Sequence, residues 1–246
     1  MNAQLVSSVG AWQFAPIEKE KEVVFTLMNI ITSASLLACS LAEISSEIRR
    51  CKAAGVDWIH FDVMDGVFVE QITYGAPVLK SIRACTDMFL DVHLMVDDPT
   101  RQIPFFAAAG ASLVSFHIES RCDTAAVLRD IRSNGMRAAL AVKPATPIET
   151  VYPYLPLCDM VLVMTVEPGY GGQGFIPETE GKIRTLRSYA EGSGFPDLDI
   201  EVDGGINADT APLVRADGAN VLVAGTGLFG AKDMSAANRM LKGEQA

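Results

Sequence analysis

The chain has no CxxC pair, no run of Lys and Arg, and no apolar stretch near the roughly 20 residues that a membrane span requires. Each absence removes a class of function. The five cysteines, Cys39, Cys51, Cys85, Cys122 and Cys158, are odd in number and widely spaced, which leaves reduced, mostly buried thiols in a cytoplasmic protein. With a formal net charge of −10 and no basic cluster, neither nucleic acid nor an anionic membrane surface is an expected partner. A phosphorylated ligand would have to be held by local backbone N–H groups, because the bulk charge repels it. No linker or low-complexity segment divides the chain, and no dinucleotide-type glycine fingerprint follows the first strand candidate.

What is present suits one large domain. Hydrophobic residues make up 49% of the 246 and charged residues 20%, enough apolar material for a single core. From about residue 31, short β-rich runs alternate with helix-length amphipathic stretches. The strand candidates are residues 33–38, 58–63, 89–95, 113–117, 137–142, 160–165, 199–202 and 220–224. Several are almost continuously apolar, as strands covered on both faces are. Later helices are expected to open near Thr100, Asp123, Pro147, Pro177, Asp209 and Ser235, each a cap-type residue or proline. In the first helix Leu41, Ile44, Ile48 and Cys51 form one stripe, Ser40 and Glu43 a capping box, and Gly55 a stop.

Eight such units predict an α/β fold, either an open doubly wound sheet or a closed barrel. The missing dinucleotide fingerprint favours a single (β/α)8 TIM barrel with a closed, parallel, eight-stranded sheet over residues 29–246. Residues 1–28 read as a poorly specified extension, with Met28 an alternative start. Leu36-Leu37-Ala38-Cys39 looks like a lipoprotein cleavage box. Glu18, Glu20 and Glu22 stand among the lysines before it, where a basic segment leading into an apolar one is needed, so residues 36–39 are assigned to the first strand.

Catalytic groups of such barrels sit at the C-terminal ends of the strands. All three histidines, His60, His93 and His117, lie there. His60 and Asp62 are two apart on one strand and so face the same side, and Asp203 ends the seventh strand candidate. Two imidazoles and two carboxylates would make a mixed N/O site for Zn²⁺, Fe²⁺, Mn²⁺ or Co²⁺. From spacing alone, a hydrogen-bonded structural His–Asp contact is the commoner outcome. His117 has no acidic neighbour facing its way and is read as structural. Glycines follow three consecutive strands, at Gly169-Tyr170-Gly171-Gly172, Gly204-Gly205 and Gly225-Thr226-Gly227. They suit either tight turns or the backbone approach that a phosphate needs. Met64, Met95 and Met164, also at strand ends, read as core fillers.

Four segments together carry a resemblance. Residues 57–66 (DWIHFDVMDG), 91–96 (DVHLMV), 164–173 (MTVEPGYGGQ) and 201–205 (EVDGG) resemble, in order, the motifs of the ribulose-phosphate 3-epimerase family, and the likeness runs from about Ser35 to Gly230. It implies a divalent metal held by His60, Asp62, His93 and Asp203, acid–base roles for Asp62 and Asp203, and substrate contacts from Ser35 and His93. It also implies phosphate held at Gly169–Gly172, Gly204, Gly205, Gly225 and Thr226, with Met64, Met95 and Met164 packed around the site. The implied reaction interconverts D-ribulose 5-phosphate and D-xylulose 5-phosphate, in a protein expected to be a cytoplasmic homo-oligomer. Ala34, Ser40, Val67, Glu70, Gln71 and Thr226 stand where the family usually has Pro, Asp, His, Pro, Asn and Ser. The loop from 66 to 76 lies beside the sugar, so another ketose phosphate such as allulose 6-phosphate is the alternative substrate. A decarboxylase or aldolase on a related barrel would need an Asp-x-Lys motif where this chain has Asp91-Val92-His93. A non-catalytic sugar-phosphate sensor would not need all four expected ligands.

Overall fold

The apolar runs pair in chain order until the last meets the first. A computed structural model describes residues 29–244; the expected extension at 1–28 lies outside them. The strands are β1 (Ile31–Ser35), β2 (Trp58–Met64), β3 (Phe89–Met95), β4 (Leu113–His117), β5 (Arg137–Val142), β6 (Met160–Met164), β7 (Asp199–Asp203) and β8 (Val221–Ala224). Each is parallel to the next, and β8 closes on β1 with Ala34 opposite Ala224. Around this barrel run α1 (Ile44–Ala53), α2 (Ala76–Arg83), α3 (Ile103–Ala109), α4 (Thr124–Ser133), α5 (Glu180–Gly192), α6 (Ala211–Ala216), α7 (Thr226–Phe229) and α8 (Met234–Lys242). A 3₁₀ segment, Ile148–Leu157, takes the helical place between β5 and β6, because Pro153 and Pro156 remove the donors an α-helix needs.

Two local expectations are corrected. Residues 36–38 form a 3₁₀ turn, not the end of β1. The ladders to β2 and β8 stop at Ser35 and Ala34, so the chain turns and Cys39 N donates to Leu36 O at 3.2 Å. Ser40 and Glu43 make no capping box: residues 41–43 are a second 3₁₀ turn, Ser40 makes no side-chain capping bond, and α1 starts at Ile44. Leu41 is therefore 51% exposed, and the buried stripe begins later, at Ile44, Ile48 and Cys51. Asp123 does cap its helix, accepting from Ala126 N at 2.9 Å, and Asp233 caps α8 through Ala236 N at 3.0 Å.

The period of two along each strand sorts side chains into two cores. Ile59, Phe61 and Val63, Leu90, Val92 and Leu94, and Val161 and Val163 face outward into the layer beneath the helices. Their neighbours face the barrel axis, where Trp58, Leu113, Ala139, Met160 and Val221 form an apolar plug. α8 locks the seam between the last strand and the first. Thr32 Oγ1 donates to Asn238 Oδ1 at 2.7 Å, and Lys242 pairs at 2.8 Å with Asp57, which accepts the Thr32 N–H.

Candidate functional site

Above the plug the inward positions turn polar. His60 and Asp62 on β2, Asp91 and His93 on β3, His117 on β4 and Glu201 on β7 are all buried, and Asp203 is 18% exposed at the mouth. Register brings them together, with His60 opposite Asp91 and Asp62 opposite His93. One ligand atom each from His60, Asp62, His93 and Asp203 lie within 4.8 Å of one another. His60 Nε2 is 3.2 Å from Asp62 Oδ1 and 3.9 Å from Asp203 Oδ2, and His93 Nδ1 is 3.4 Å from Asp62 Oδ1. Both imidazole nitrogens are buried without a hydrogen-bond partner. Donor atoms around one divalent ion at about 2.0–2.2 Å stand roughly 3–4 Å apart, so spacing and orphaned nitrogens both fit a mixed N/O metal site.

The ring nitrogens facing away are held. His60 Nδ1 lies 2.6 Å from Asp91 Oδ2, and Ser33 Oγ donates to the same oxygen at 3.3 Å. Glu201 Oε1 stands 3.7 Å from His60 Nδ1. Burial and the Asp91 charge push Glu201 well above the ordinary carboxyl range. Burial works against a charge on His60, but Asp62 and Asp91 outweigh it and raise its pKa.

The two mouth carboxyls diverge in the same way. Burial would raise Asp62, yet the His60 charge beside it holds it well below its usual range. Burial and the Asp62 charge instead push Asp203 up to about 6. Ser35 Oγ donates to Asp62 Oδ2 at 2.8 Å and orients it.

His117 does have an acidic partner, a correction to the reading of it as isolated. The acid comes from the turn beyond β4: Glu119 Oε2 lies 3.1 Å from His117 Nδ1. Burial brings His117 down to about 4 and keeps it neutral. Hydrogen bonds from His117 and the Lys143 N–H outweigh burial and take Glu119 down to about 2. Sequence reading passed over Asp91, Glu201 and Glu119 as contributors. The signal was available, since each is two residues from a singled-out group on one strand or its extension, the spacing that flagged His60 and Asp62.

One cavity opens at the C-terminal ends of the strands. Ser35, Asp62, Met64, Met95, Met164, Asp203 and the expected glycine-loop residues Gly169–Gly172, Gly204, Gly205, Gly225 and Thr226 line it. His60 and His93 lie beneath that lining, fully buried. The backbone N–H groups of Gly171, Gly172, Gly205 and Gly225 find no acceptor among the described residues. Gly204 has φ +123°, and a Cβ there would stand 2.5 Å from Val166 Cγ2, so only glycine fits.

The loop after β2 borders this cavity. Asp65 organises it, accepting from Val67 N and Phe68 N and, through its other oxygen, from Asp97 N beyond β3, each at 2.8 Å. Val67 is 70% exposed. Glu70 reaches across the mouth and accepts the Tyr170 hydroxyl at 2.9 Å. These two departures from the family pattern thus differ in kind, one facing solvent and the other joining two loops at the cavity mouth.

Comparison with known proteins agrees with this geometry. The profile of the ribulose-phosphate 3 epimerase family matches residues 31–229. The chain is 43% identical over 215 residues to the ribulose-phosphate 3-epimerase of Mycobacterium leprae, covering 87% of this chain and 95% of that protein. It is 41% identical over 216 residues to the Bacillus subtilis ribulose-phosphate 3-epimerase, covering 88% and 100%. A cytoplasmic isoform of that enzyme from rice is 42% identical over 219 residues, covering 86% and 94%. Among solved structures, the 3-hexulose-6-phosphate synthase of Salmonella typhimurium superposes with TM-score 0.65 at 16% identity, covering 87% of this chain and 97% of that one. The 3-keto-L-gulonate-6-phosphate decarboxylase of Vibrio cholerae superposes with TM-score 0.67 at 15% identity, covering 88% and 98%. At that identity these two show the barrel alone. No helix among the described residues is long and apolar enough to cross a membrane.

Proposed function

Because the chain belongs to the ribulose-phosphate 3-epimerase family, we propose that it interconverts D-ribulose 5-phosphate and D-xylulose 5-phosphate by proton transfer at C3. The observation that carries this reading is geometric: Asp62 from β2 and Asp203 from β7 line one cavity and belong to the same four-residue cluster. Inverting a carbon requires a base on one face and an acid on the other. In one direction Asp62 takes the C3 proton, and Asp203 delivers its own to the opposite face of the enediolate. The reverse direction exchanges their roles.

The other lining groups support binding. The free N–H groups of Gly171, Gly172, Gly205 and Gly225 suit the phosphate, with Thr226 and its hydroxyl beside them. Ser35 keeps Asp62 aimed, and Met64, Met95 and Met164 exclude water from the reacting end. His60, Asp62, His93 and Asp203 are the residues that would hold a divalent metal, by virtue of their spacing and the two orphaned nitrogens. Such an ion supplies positive charge to stabilise the oxygens as negative charge develops. The decarboxylase and aldolase readings lack their lysine at His93.

A second substrate is favoured by one contact. Glu70, a departure from the family pattern, accepts the hydroxyl of the cavity-lining Tyr170 at 2.9 Å, so another ketose phosphate such as D-allulose 6-phosphate is the alternative substrate. Incubation with a panel of ketose phosphates in D2O, followed by NMR, reports substrate and reaction together as deuterium uptake at C3. A kcat/KM for ribulose 5-phosphate above that for allulose 6-phosphate is expected. The reverse order would move the assignment, and rapid turnover of unphosphorylated sugars would overturn the phosphate reading.

A further inference from the structure

His93 and His117 meet through their Nε2 atoms, 2.9 Å apart, and both rings are fully buried. A neutral imidazole has one donor and one acceptor, so two facing nitrogens bond only when one of them carries the proton. The direction is decided at the far end of the chain of contacts. Glu119 Oε1 already accepts the Lys143 backbone N–H at 2.9 Å, and its Oε2 faces His117 Nδ1 at 3.1 Å. A carboxylate accepts only, so His117 carries its proton on Nδ1 and presents a lone pair at Nε2. His93 must then carry its proton on Nε2. Its Nδ1 is left with a free lone pair, has no hydrogen-bond partner, and points to the cluster at 3.4 Å from Asp62 Oδ1.

We infer that Glu119 and His117 are positioning residues, a buried relay that fixes the tautomer of His93 so that its Nδ1 lone pair faces the site. The functional meaning rests on the metal reading above, since a lone pair is what a ligand must offer. Second-layer partners of this kind typically change metal affinity by about 10–100-fold. His60 needs no relay, because Asp91 meets its Nδ1 directly at 2.6 Å. β4 brings no carboxylate of its own to His93, and His117 bridges to one two residues further on. Phe68 packs over His117 with ring centroids 4.7 Å apart, and Lys143 Nζ lies 3.8 Å from the Phe68 ring, which shields the relay from solvent.

The chain has three histidines, few enough for each ring to be resolved by long-range nitrogen–proton NMR of metal-free protein carrying ¹⁵N-histidine. The expected result is His93 protonated on Nε2 and His117 on Nδ1. Glu119→Gln should reverse the relay. Its amide oxygen stays on the Lys143 N–H, its NH2 donates to His117 Nδ1, and the proton is driven onto His93 Nδ1. Co²⁺ affinity of that variant, measured by chelator competition, should fall about 10–100-fold. His117→Gln keeps an oxygen for the His93 N–H and an amide donor for Glu119, and should preserve both the tautomer and tighter Co²⁺ binding than Glu119→Gln. A wild-type His93 protonated on Nδ1 overturns the inference, as does a Glu119→Gln protein with unchanged tautomer or unchanged affinity. Should Glu119→Gln fail to fold, the wild-type tautomer and His117→Gln decide. Wild-type protein that binds no Co²⁺ would defeat the metal reading, while the NMR arms still decide the relay.

Discussion

Replacing either mouth carboxylate by its amide keeps the side-chain shape while removing a group that can take up or release a proton. In Asp62→Asn the shape stays, but a carboxylate whose Oδ2 accepts from Ser35 at 2.8 Å and whose Oδ1 stands 3.2 and 3.4 Å from two imidazole nitrogens is exchanged for a group that cannot take a proton. General acid–base groups contribute about 10²–10⁴-fold. Each of these side chains also belongs to the four-residue ligand cluster, so a loss of at least about 10³-fold is expected for Asp62→Asn and for Asp203→Asn alike. At about 1.4 kcal/mol per tenfold, that is about 4 kcal/mol of transition-state stabilisation. Lost folding does not account for the effect at position 203. Burial and the Asp62 charge push Asp203 up to about 6, so above that pH its ionised form costs the fold energy, and Asp203→Asn should leave metal-free protein at least as thermostable. The assay is single turnover in D2O, following inversion and C3 deuterium separately. Each variant keeps one carboxylate and is expected to exchange the C3 proton of one epimer without inverting it, the epimer differing between the two variants. Inversion at near wild-type rate by either variant would refute the two-carboxylate mechanism.

Three further outcomes are expected. Exhaustive chelation should abolish turnover and added Zn²⁺, Mn²⁺, Fe²⁺ or Co²⁺ should restore it, because two buried nitrogens without partners converge with two carboxyls; full activity in metal-free protein would contradict this. Gly204→Ala should weaken substrate binding and lower Tm, since its Cβ would lie 2.5 Å from Val166 at φ +123°, a combination in the cost range of about 1–3 kcal/mol; an unchanged Tm and KM would show that the turn relaxes. Native-state alkylation followed by mass spectrometry should label exposed Cys85 and spare Cys51 and Cys158, whose thiols burial pushes up to about 12; rapid labelling of either buried thiol would contradict the packing.

The units of the barrel were legible because apolar runs and the glycines, prolines and aspartates that punctuate them are local signals. β3, β4 and β5 fall at the residues that alternation marks, and Asp123 caps α4 as its position suggests. Reading failed where the outcome depended on neighbours. Residues 36–38 have strand composition, yet they turn because the ladders on both sides end before them. Ser40 and Glu43 have the capping-box spacing, but the backbone between them winds as a 3₁₀ turn. α2 carries an ordinary amphipathic pattern, Leu79 and Ile82 inward, that was passed over between the motif-rich segments on either side.

The sequence by itself determined which side chains share a face. A period of two puts His60 with Asp62, Asp91 with His93, and Glu201 with Asp203, whatever the sheet then does. Only the tertiary structure decided which of those faces meet, because pairing depends on closure and on register between strands far apart in the chain. Asp91 reaches His60 across 31 residues, Ser33 reaches Asp91 across 58, and His117 meets His93 across 24. A barrel has one axis, so every inward polar group is driven toward the same small space, where its charge must be matched by a proton, a partner or an ion. That shared confinement sets Asp62 and Asp203 apart in acidity and leaves two imidazole nitrogens without partners, and no single segment of the sequence contains it.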